Sequence, residues 1–215
     1  MKKYLAELIG TFILVFCGTG AIVINEVSQG AVSHTGVAAS FGLAVMAMIY
    51  TFGGLSGAHI NPAVSIGFAL TDRFERRLLF PYIIAQIIGG LLASLVLKLL
   101  FPMSVTLGET LPAASWQQTF VLEGILTYIL MLVILAVGQN EKVNQFTGLV
   151  VGGVVLLEAM FAGPISGASM NPARSIGPAI VAQNLSHLWI YIAAPILGSM
   201  LASGTWFYLL KDSKV

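Results

Sequence analysis

The sequence has 215 residues, of which 57% are hydrophobic and only 9% are charged. Its mean hydropathy is +0.92 and its formal net charge is +1. Because soluble domains carry about 25% charged residues, this composition excludes a soluble globular protein, and the small net charge excludes a basic surface for nucleic acid. The single cysteine, Cys17, excludes an intramolecular disulfide and argues against a cysteine metal cluster.

Six apolar stretches approach the roughly 20 residues that a helix needs to cross the ~30 Å hydrocarbon layer. They cover about residues 4–24, 37–52, 78–100, 116–137, 146–162 and 188–210. The first is longer than the ~7–15-residue core of a signal peptide and contains Glu7, so we expect it to be a membrane span. The second and fifth are short. The pattern predicts an all-α membrane protein with six transmembrane helices.

Positive charges are distributed asymmetrically between the two sides of these spans. With six spans and a cytoplasmic N-terminus, eight of the ten Lys and Arg residues would lie inside: Lys2, Lys3, Arg73, Arg76, Arg77, Lys142, Lys211 and Lys214. This agrees with the positive-inside rule. It predicts cytoplasmic N- and C-termini in a plasma (inner) membrane. Lys98 can snorkel from the outer end of the third span, whereas Arg174 needs another explanation.

One polar phrase occurs twice, as "GAHINPAVS" at residues 57–65 and "GASMNPARS" at residues 167–175. The two Asn-Pro-Ala triplets are 171 − 61 = 110 residues apart, about half the chain. The similarity between the two halves extends to their first spans, where Glu7 and Glu123 occupy equivalent positions. Three spans per half is an odd number, so the second copy must enter the membrane from the opposite side. We therefore expect one domain over 1–215, an inverted repeat of about 1–107 and 112–215.

Each repeated phrase has the character of a helix start. Asparagine is a favoured N-cap and proline is tolerated at the first helical position, which applies to Asn61-Pro62 and Asn171-Pro172. About ten apolar residues follow each, enough for ~15 Å, or half a membrane. A single copy could simply cap an ordinary helix. Two matched copies in inverted halves instead predict two re-entrant half-helices that meet near the midplane, where irregular backbone must be buried or line a watery cavity.

On these residues the chain resembles the aquaporin (major intrinsic protein) family, and the resemblance covers nearly the whole chain. The segments "FAGPISGASMNPARSIGPA" and "LWIYIAAP" are most similar to the nodulin-type branch and its microbial relatives, which pass small uncharged solutes as well as water. The resemblance implies a passive channel for water and small neutral solutes that excludes ions and protons. It also implies a homotetramer in a lipid bilayer, with no cofactor, no metal and no enzymatic activity.

The resemblance also assigns the pore residues. The motif residues are Asn61, Pro62, Ala63, Asn171, Pro172 and Ala173, with both asparagine amides donating to a passing oxygen. The carbonyls that accept hydrogen bonds along the pore belong to Gly57, Ala58, His59, Gly167, Ala168 and Ser169. The narrow outer filter consists of Phe41, Ala159, Ala168 and Arg174.

Departures from the family patterns leave the substrate range open. Water-selective members generally have His at the position of Ala159, glycerol facilitators usually have Asp at the position of Ser175, and the nodulin-type branch often has Trp at the position of Phe41. The methyl group of Ala159 favours glycerol and, as an extension, neutral metalloid hydroxides. The alternatives are a water-selective aquaporin and, from another class, a coupled secondary transporter, which also uses inverted repeats.

Several buried polar residues have two interpretations. Glu7 and Glu123 are expected to brace the irregular backbone, with a proton relay as the alternative. Glu158 either holds the loop 166–170 or biases the filter towards hydroxyl-rich solutes. His59 is expected to be structural rather than a pH gate, and His34 to be a surface residue. Small residues at Ala38, Gly42, Gly148 and Gly152 predict close helix crossing.

Overall fold

The computed structural model describes residues 1–211, and the predicted inside position of Lys214 lies outside this range. The described chain is all α-helical. Its helices are α1 (Lys2–Val27), α2 (Ser33–Ser56), α3 (Pro62–Leu70), α4 (Leu79–Leu100), α5 (Trp116–Val137), α6 (Thr147–Ser166), α7 (Pro172–Val181) and α8 (Leu188–Leu209). Short 3₁₀ turns at Arg76–Leu78 and Asn144–Phe146 precede α4 and α6. Six helices are long and apolar enough to cross a membrane, which confirms the expected number of spans within residues 1–211.

The second and fifth spans are longer than the sequence suggests. Helix α2 begins at Ser33 and ends at Ser56, and α6 continues to Ser166. Hydropathy fades at these ends because glycine, serine and proline replace the large apolar residues, but packing keeps the backbone helical. Both helices end at a left-handed glycine, Gly57 with φ 88° and Gly167 with φ 85°, the usual conformation of a helix C-cap.

His34 has a structural role that its exposed position concealed. Pro164 lies inside α6 and has no backbone N–H, so the carbonyl of Met160 loses its partner in the helix. The Nε2 atom of His34, on α2, lies 2.6 Å from that carbonyl oxygen. His34 is exposed, as expected, but it also ties the N-terminal end of α2 to the C-terminal part of α6.

The two repeats pack with the same pairing of helices. Helix α1 packs against α4 and α2, α5 packs against α8 and α6, and α2 crosses α6 between the repeats. The crossing is close at Gly42 and Gly152. A methyl group on either glycine would lie 2.6 Å from the carbonyl oxygen of the other, which is too close for any side chain. This confirms the expected close crossing at Gly42 and Gly152, whereas Gly148 lies against the ring of Tyr50.

The short helices α3 and α7 lie inside this frame. Helix α7 packs against α4, and α3 packs against α8. Each half-helix therefore contacts a long helix of the other repeat. Gly90 and Gly177 allow the approach of α4 and α7, because a methyl group on Gly90 would lie 2.6 Å from the Ala173 carbonyl oxygen. The frame thereby places the first residues of α3 and α7 next to each other at the centre of the molecule.

Candidate functional site

Both half-helices begin where the repeated phrase predicts. Asn61 is the N-cap of α3 and its Oδ1 accepts the N–H of Ala63 at 2.9 Å. Asn171 is the N-cap of α7 and accepts the N–H of Ala173 at 3.0 Å. Proline occupies the first position of each helix. At 9 and 10 residues the helices are about 14 and 15 Å long, half of a membrane.

The two asparagines also join the repeats to each other. Asn61 Nδ2 donates to the carbonyl of Met170 at 2.8 Å, and Asn171 Nδ2 donates to the carbonyl of Ile60 at 2.9 Å. Because an amide nitrogen carries two hydrogens, each side chain keeps one further donor. These reciprocal bonds hold the two helix N-termini side by side.

The backbone before each half-helix has the same unusual conformation in both repeats. Ala58 and Ile60 have φ of 45° and 43°, and Ala168 and Met170 have φ of 42° and 54°. Such left-handed residues cost of order 1–3 kcal/mol each and persist only where surrounding contacts fix them. Residues that alternate between right-handed and left-handed backbone conformations also direct successive N–H groups towards one point. Such a segment forms a concave site for an anion.

A buried glutamate occupies each of these concave sites. Glu7 accepts the N–H groups of His59 at 3.0 Å and Ile60 at 2.7 Å, together with the hydroxyl of Ser56 at 2.7 Å and the amide of Gln86 at 2.8 Å. The segment contributes only N–H groups to these bonds, which do not involve its backbone carbonyls.

Glu123 makes three of the same four bonds. It accepts the Ser166 hydroxyl at 2.8 Å, the Ser169 N–H at 2.9 Å and the Met170 N–H at 2.8 Å. Tyr82 and Tyr191 occupy matching places on α4 and α8, and the same spacing sets Pro195 opposite Gln86. Proline has no side-chain donor, so within residues 1–211 the second repeat lacks the fourth bond.

We expect Glu123→Gln to lower the folded yield while leaving the pH dependence of flux unchanged. Glutamine presents an NH₂ group to donors that now meet a carboxylate, and an unsatisfied buried donor costs about 1–3 kcal/mol. Size-exclusion yield in detergent and vesicle flux at several pH values measure the two effects. Glu141→Gln, at an exposed position, is the control. A changed pH profile with unchanged yield would support a proton relay.

Arg174 lies on α7, one turn after Asn171, and is 2% exposed. Its Nη1 donates to the carbonyl of Gly108 at 2.7 Å, and its guanidinium lies 5.0 Å from the centre of the Phe41 ring. Nε and Nη2 have no hydrogen-bond partner among residues 1–211. Thr110 supports the same loop, since its hydroxyl donates to Ser175 at 2.8 Å. The loop before α5 therefore anchors one edge of the guanidinium and leaves the other free.

A cavity passes between the half-helices and is lined by residues from both repeats. Its lining includes matching positions of the two repeats, with an offset of 123 − 7 = 116 in the first helix of each repeat and of 171 − 61 = 110 in the second helix and the half-helix. The pairs are Leu14 and Leu130, Phe41 and Val151, Val45 and Val155, Val64 and Arg174, and Asn61 and Asn171. The two repeats therefore line one cavity with matching positions in its two halves.

A model of the major intrinsic protein family matches residues 1–208. The chain belongs to this family. It is 46% identical over 212 residues to "Aquaporin NIP1-4" of Oryza sativa subsp. japonica, which covers 98% of this chain and 77% of that relative. It is 43% identical over 225 residues to "Aquaporin NIP3-1" of Arabidopsis thaliana, covering 100% and 69%. These relatives confirm the expected similarity to the nodulin-type branch.

The structure of the aquaglyceroporin from Plasmodium falciparum has a TM-score of 0.90 to this chain at 26% identity, over 98% of this chain and 96% of that one. This match agrees with the six spans and two half-helices of the major intrinsic protein fold. As a member of this family the chain is a passive membrane channel and not an enzyme.

Most residues expected to form the major intrinsic protein pore line the cavity. Phe41, Ala168 and Arg174 of the expected filter do so, as do five of the six positions expected to supply carbonyls: Gly57, Ala58, His59, Ala168 and Ser169. Asn61 and Asn171 of the two motifs also line it, whereas Gly167, Ala159 and the motif residues Pro62, Ala63, Pro172 and Ala173 are outside the described lining. Ala159 is buried in α6, in the same apolar cluster as Phe41 and Ala168, so its place in the filter stays a prediction.

Two further polar residues lie deep in the protein. His59 bonds to Ser65 at 3.1 Å and its ring is enclosed by Phe68, Phe74 and Tyr82. Glu158 is 1% exposed, and neither carboxyl oxygen has a hydrogen-bond partner among residues 1–211. Glu158 thus makes no described bond to the loop 166–170, and its role stays a prediction.

Proposed function

We propose that the chain conducts water and glycerol passively through this cavity and excludes ions and protons. The observation that carries the proposal is the meeting of the two half-helix N-termini, cross-bonded through Asn61 and Asn171, inside a cavity lined by both repeats. Each asparagine has one amide hydrogen left for a passing oxygen. The carbonyls of residues 57–59 and 167–169 supply acceptors along the same path.

Exclusion of cations follows from the same arrangement. Each helix N-terminus carries about half a positive charge, and α3 and α7 both start at the cavity. A cation about 5 Å from both, at an effective dielectric constant of about 20, is repelled by about 3 kcal/mol. Neutral molecules do not experience this barrier. Cations also lose hydration that carbonyls on one wall cannot replace.

At the outer constriction, Arg174 supplies polar contacts and Phe41 an apolar wall. The free Nε and Nη2 donors bond to hydroxyl oxygens, while the carbon edge of a polyol packs on the ring. The small Ala159 side chain leaves room on the remaining side. The pairing of positions supports this assignment, because 159 − 110 = 49 and Ile49 lines the inner part of the cavity. Neutral metalloid hydroxides fit the same requirements.

Liposome swelling with separate osmolytes tests the proposal. We expect reconstituted protein to raise the permeability to water and glycerol above that of protein-free vesicles. Proton flux, measured with a pH-sensitive dye trapped in the vesicles, is expected to stay unchanged. Urea and boric acid define the breadth of the filter. Water flux without glycerol flux would establish the water-selective alternative. A proton current that scales with protein would contradict the pore, and saturable, ion-coupled uptake would indicate a secondary transporter.

We further propose that residues 1–215 form one channel domain with both termini in the cytoplasm of a plasma (inner) membrane, assembled as a homotetramer. The positive-inside distribution of Lys and Arg supports the orientation. Large apolar side chains exposed on the outer faces of the helices suit contact with lipid or with neighbouring copies. Accessibility labelling of single cysteines placed in the loop 138–146 tests the orientation, and native mass spectrometry tests the assembly.

A further inference from the structure

Gly18, on α1, lies directly behind the ring of Phe41. A methyl group built on Gly18 would lie 2.6 Å from Cζ of that ring and closer still to Cδ1 and Cε1. Real side-chain carbons do not approach so closely, so the ring occupies space that any other residue at position 18 would fill. Phe41 itself is 8% exposed and lines the cavity.

The inverted repeat shows what position 18 would otherwise do. The offset of 116 between α1 and α5 pairs Gly18 with Ile134, and Ile134 lines the cavity in the other half of the protein. The offset of 110 pairs Phe41 with Val151, which also lines the cavity. The second repeat therefore combines the larger Ile134 on its first helix with the smaller Val151 on its second helix. The first repeat has the reverse, with Gly18 on its first helix and Phe41 on its second.

We propose that Gly18 is a specificity-determining residue, whose missing side chain forms a recess that keeps the Phe41 ring out of the permeation path. The recess sets the distance between the ring and the Arg174 guanidinium, now 5.0 Å from the ring centre. A side chain at position 18 displaces the ring away from α1, and the open space lies on the cavity side. This inference rests on the proposed passage of glycerol as well as water.

The test compares glycerol and water permeability of Gly18→Ala in liposomes. Losing one fitting contact is worth about 10–200-fold in discrimination, so we expect glycerol permeability to fall about tenfold or more while water permeability falls much less. Gly153→Ala is the matched control, because a methyl group there meets nothing within 4 Å. The control is expected to keep the wild-type ratio of glycerol to water permeability.

A second variant separates the recess from a general effect on folding. Phe41→Val introduces the residue that the other repeat has at this position, so Gly18→Ala/Phe41→Val removes the overlap. Once the ring is absent, position 18 has nothing to displace, so we expect the double variant to have the same glycerol and water permeabilities as Phe41→Val alone, and to fold if Gly18→Ala alone fails to assemble. An unchanged permeability ratio in folded Gly18→Ala, or failure of the double variant to fold, would overturn the proposal.

Refutation of the Gly18 recess can be distinguished from refutation of glycerol passage. If the wild-type protein passes water but not glycerol, solute passage is refuted, and Gly18 is then tested on water alone. In that case Gly18→Ala is still expected to lower water permeability relative to Gly153→Ala, and the double variant to match Phe41→Val alone. Equal water permeability in Gly18→Ala and Gly153→Ala would then refute the recess.

Discussion

Ala168→Cys is expected to make the channel sensitive to mercurials, with water permeability falling close to that of protein-free vesicles. Ala168 lines the cavity, is 7% exposed and lies on the same irregular segment as Ser169 and Met170. A mercury atom bound to a thiol there fills the path beside Arg174. The expected effect is large because the proposed permeation path runs through this one cavity, so one blocked point stops all flux.

The native chain supplies the control for this experiment. Its one cysteine, Cys17, lies on α1 and is exposed on the outside of the described protein, away from the cavity lining. Wild type and Cys17→Ser are therefore expected to conduct equally with and without mercurial. The block in Ala168→Cys should reverse with excess thiol reductant. Block of the Cys17→Ser protein would show that mercury acts elsewhere, and an unaffected Ala168→Cys protein would place the path away from Ala168.

The framework of the channel is predictable from the sequence because its causes are local. Apolar length fixes the spans, and Asn followed by Pro fixes the starts of α3 and α7, since capping involves only neighbouring residues. The duplication then supplies the one non-local fact, that the two starts belong to opposite halves. The ends of α2 and α6 were missed because Gly53, Gly54 and Gly163 remain helical through packing, which hydropathy does not report.

The contacts that shape the proposed constriction could not be predicted in the same way. The bond from Arg174 to the Gly108 carbonyl depends on the path of a loop without periodicity. The cross-bonds of Asn61 and Asn171 require the two repeats to be in place. The recess at Gly18 has a weak signal, since aligning Glu7 with Glu123 pairs this glycine with Ile134, but only the structure shows Phe41 filling the space.

We expect Ala159→His to reduce glycerol permeability much more than water permeability. In the proposed filter, histidine fills the space that the methyl group leaves beside Phe41 and Arg174, and it replaces an apolar surface by a polar one. A polyol then loses the wall for its carbon edge while water, which needs only hydrogen bonds, keeps its contacts. Loss of one fitting contact corresponds to about 10–200-fold, and steric closure adds to this.

The size of the effect discriminates between two positions for Ala159. If the residue faces the path, as its pairing with Ile49 indicates, Ala159→His changes the ratio of glycerol to water permeability, whereas Ala136→His, on a half-buried face of α5 outside the cavity lining, leaves it unchanged. If Ala159 instead only packs between helices, the larger ring lowers folded yield and both permeabilities fall together. A folded Ala159→His protein that passes glycerol as well as wild type would remove Ala159 from the filter, and selectivity would then depend on Phe41, Ala168 and Arg174 alone.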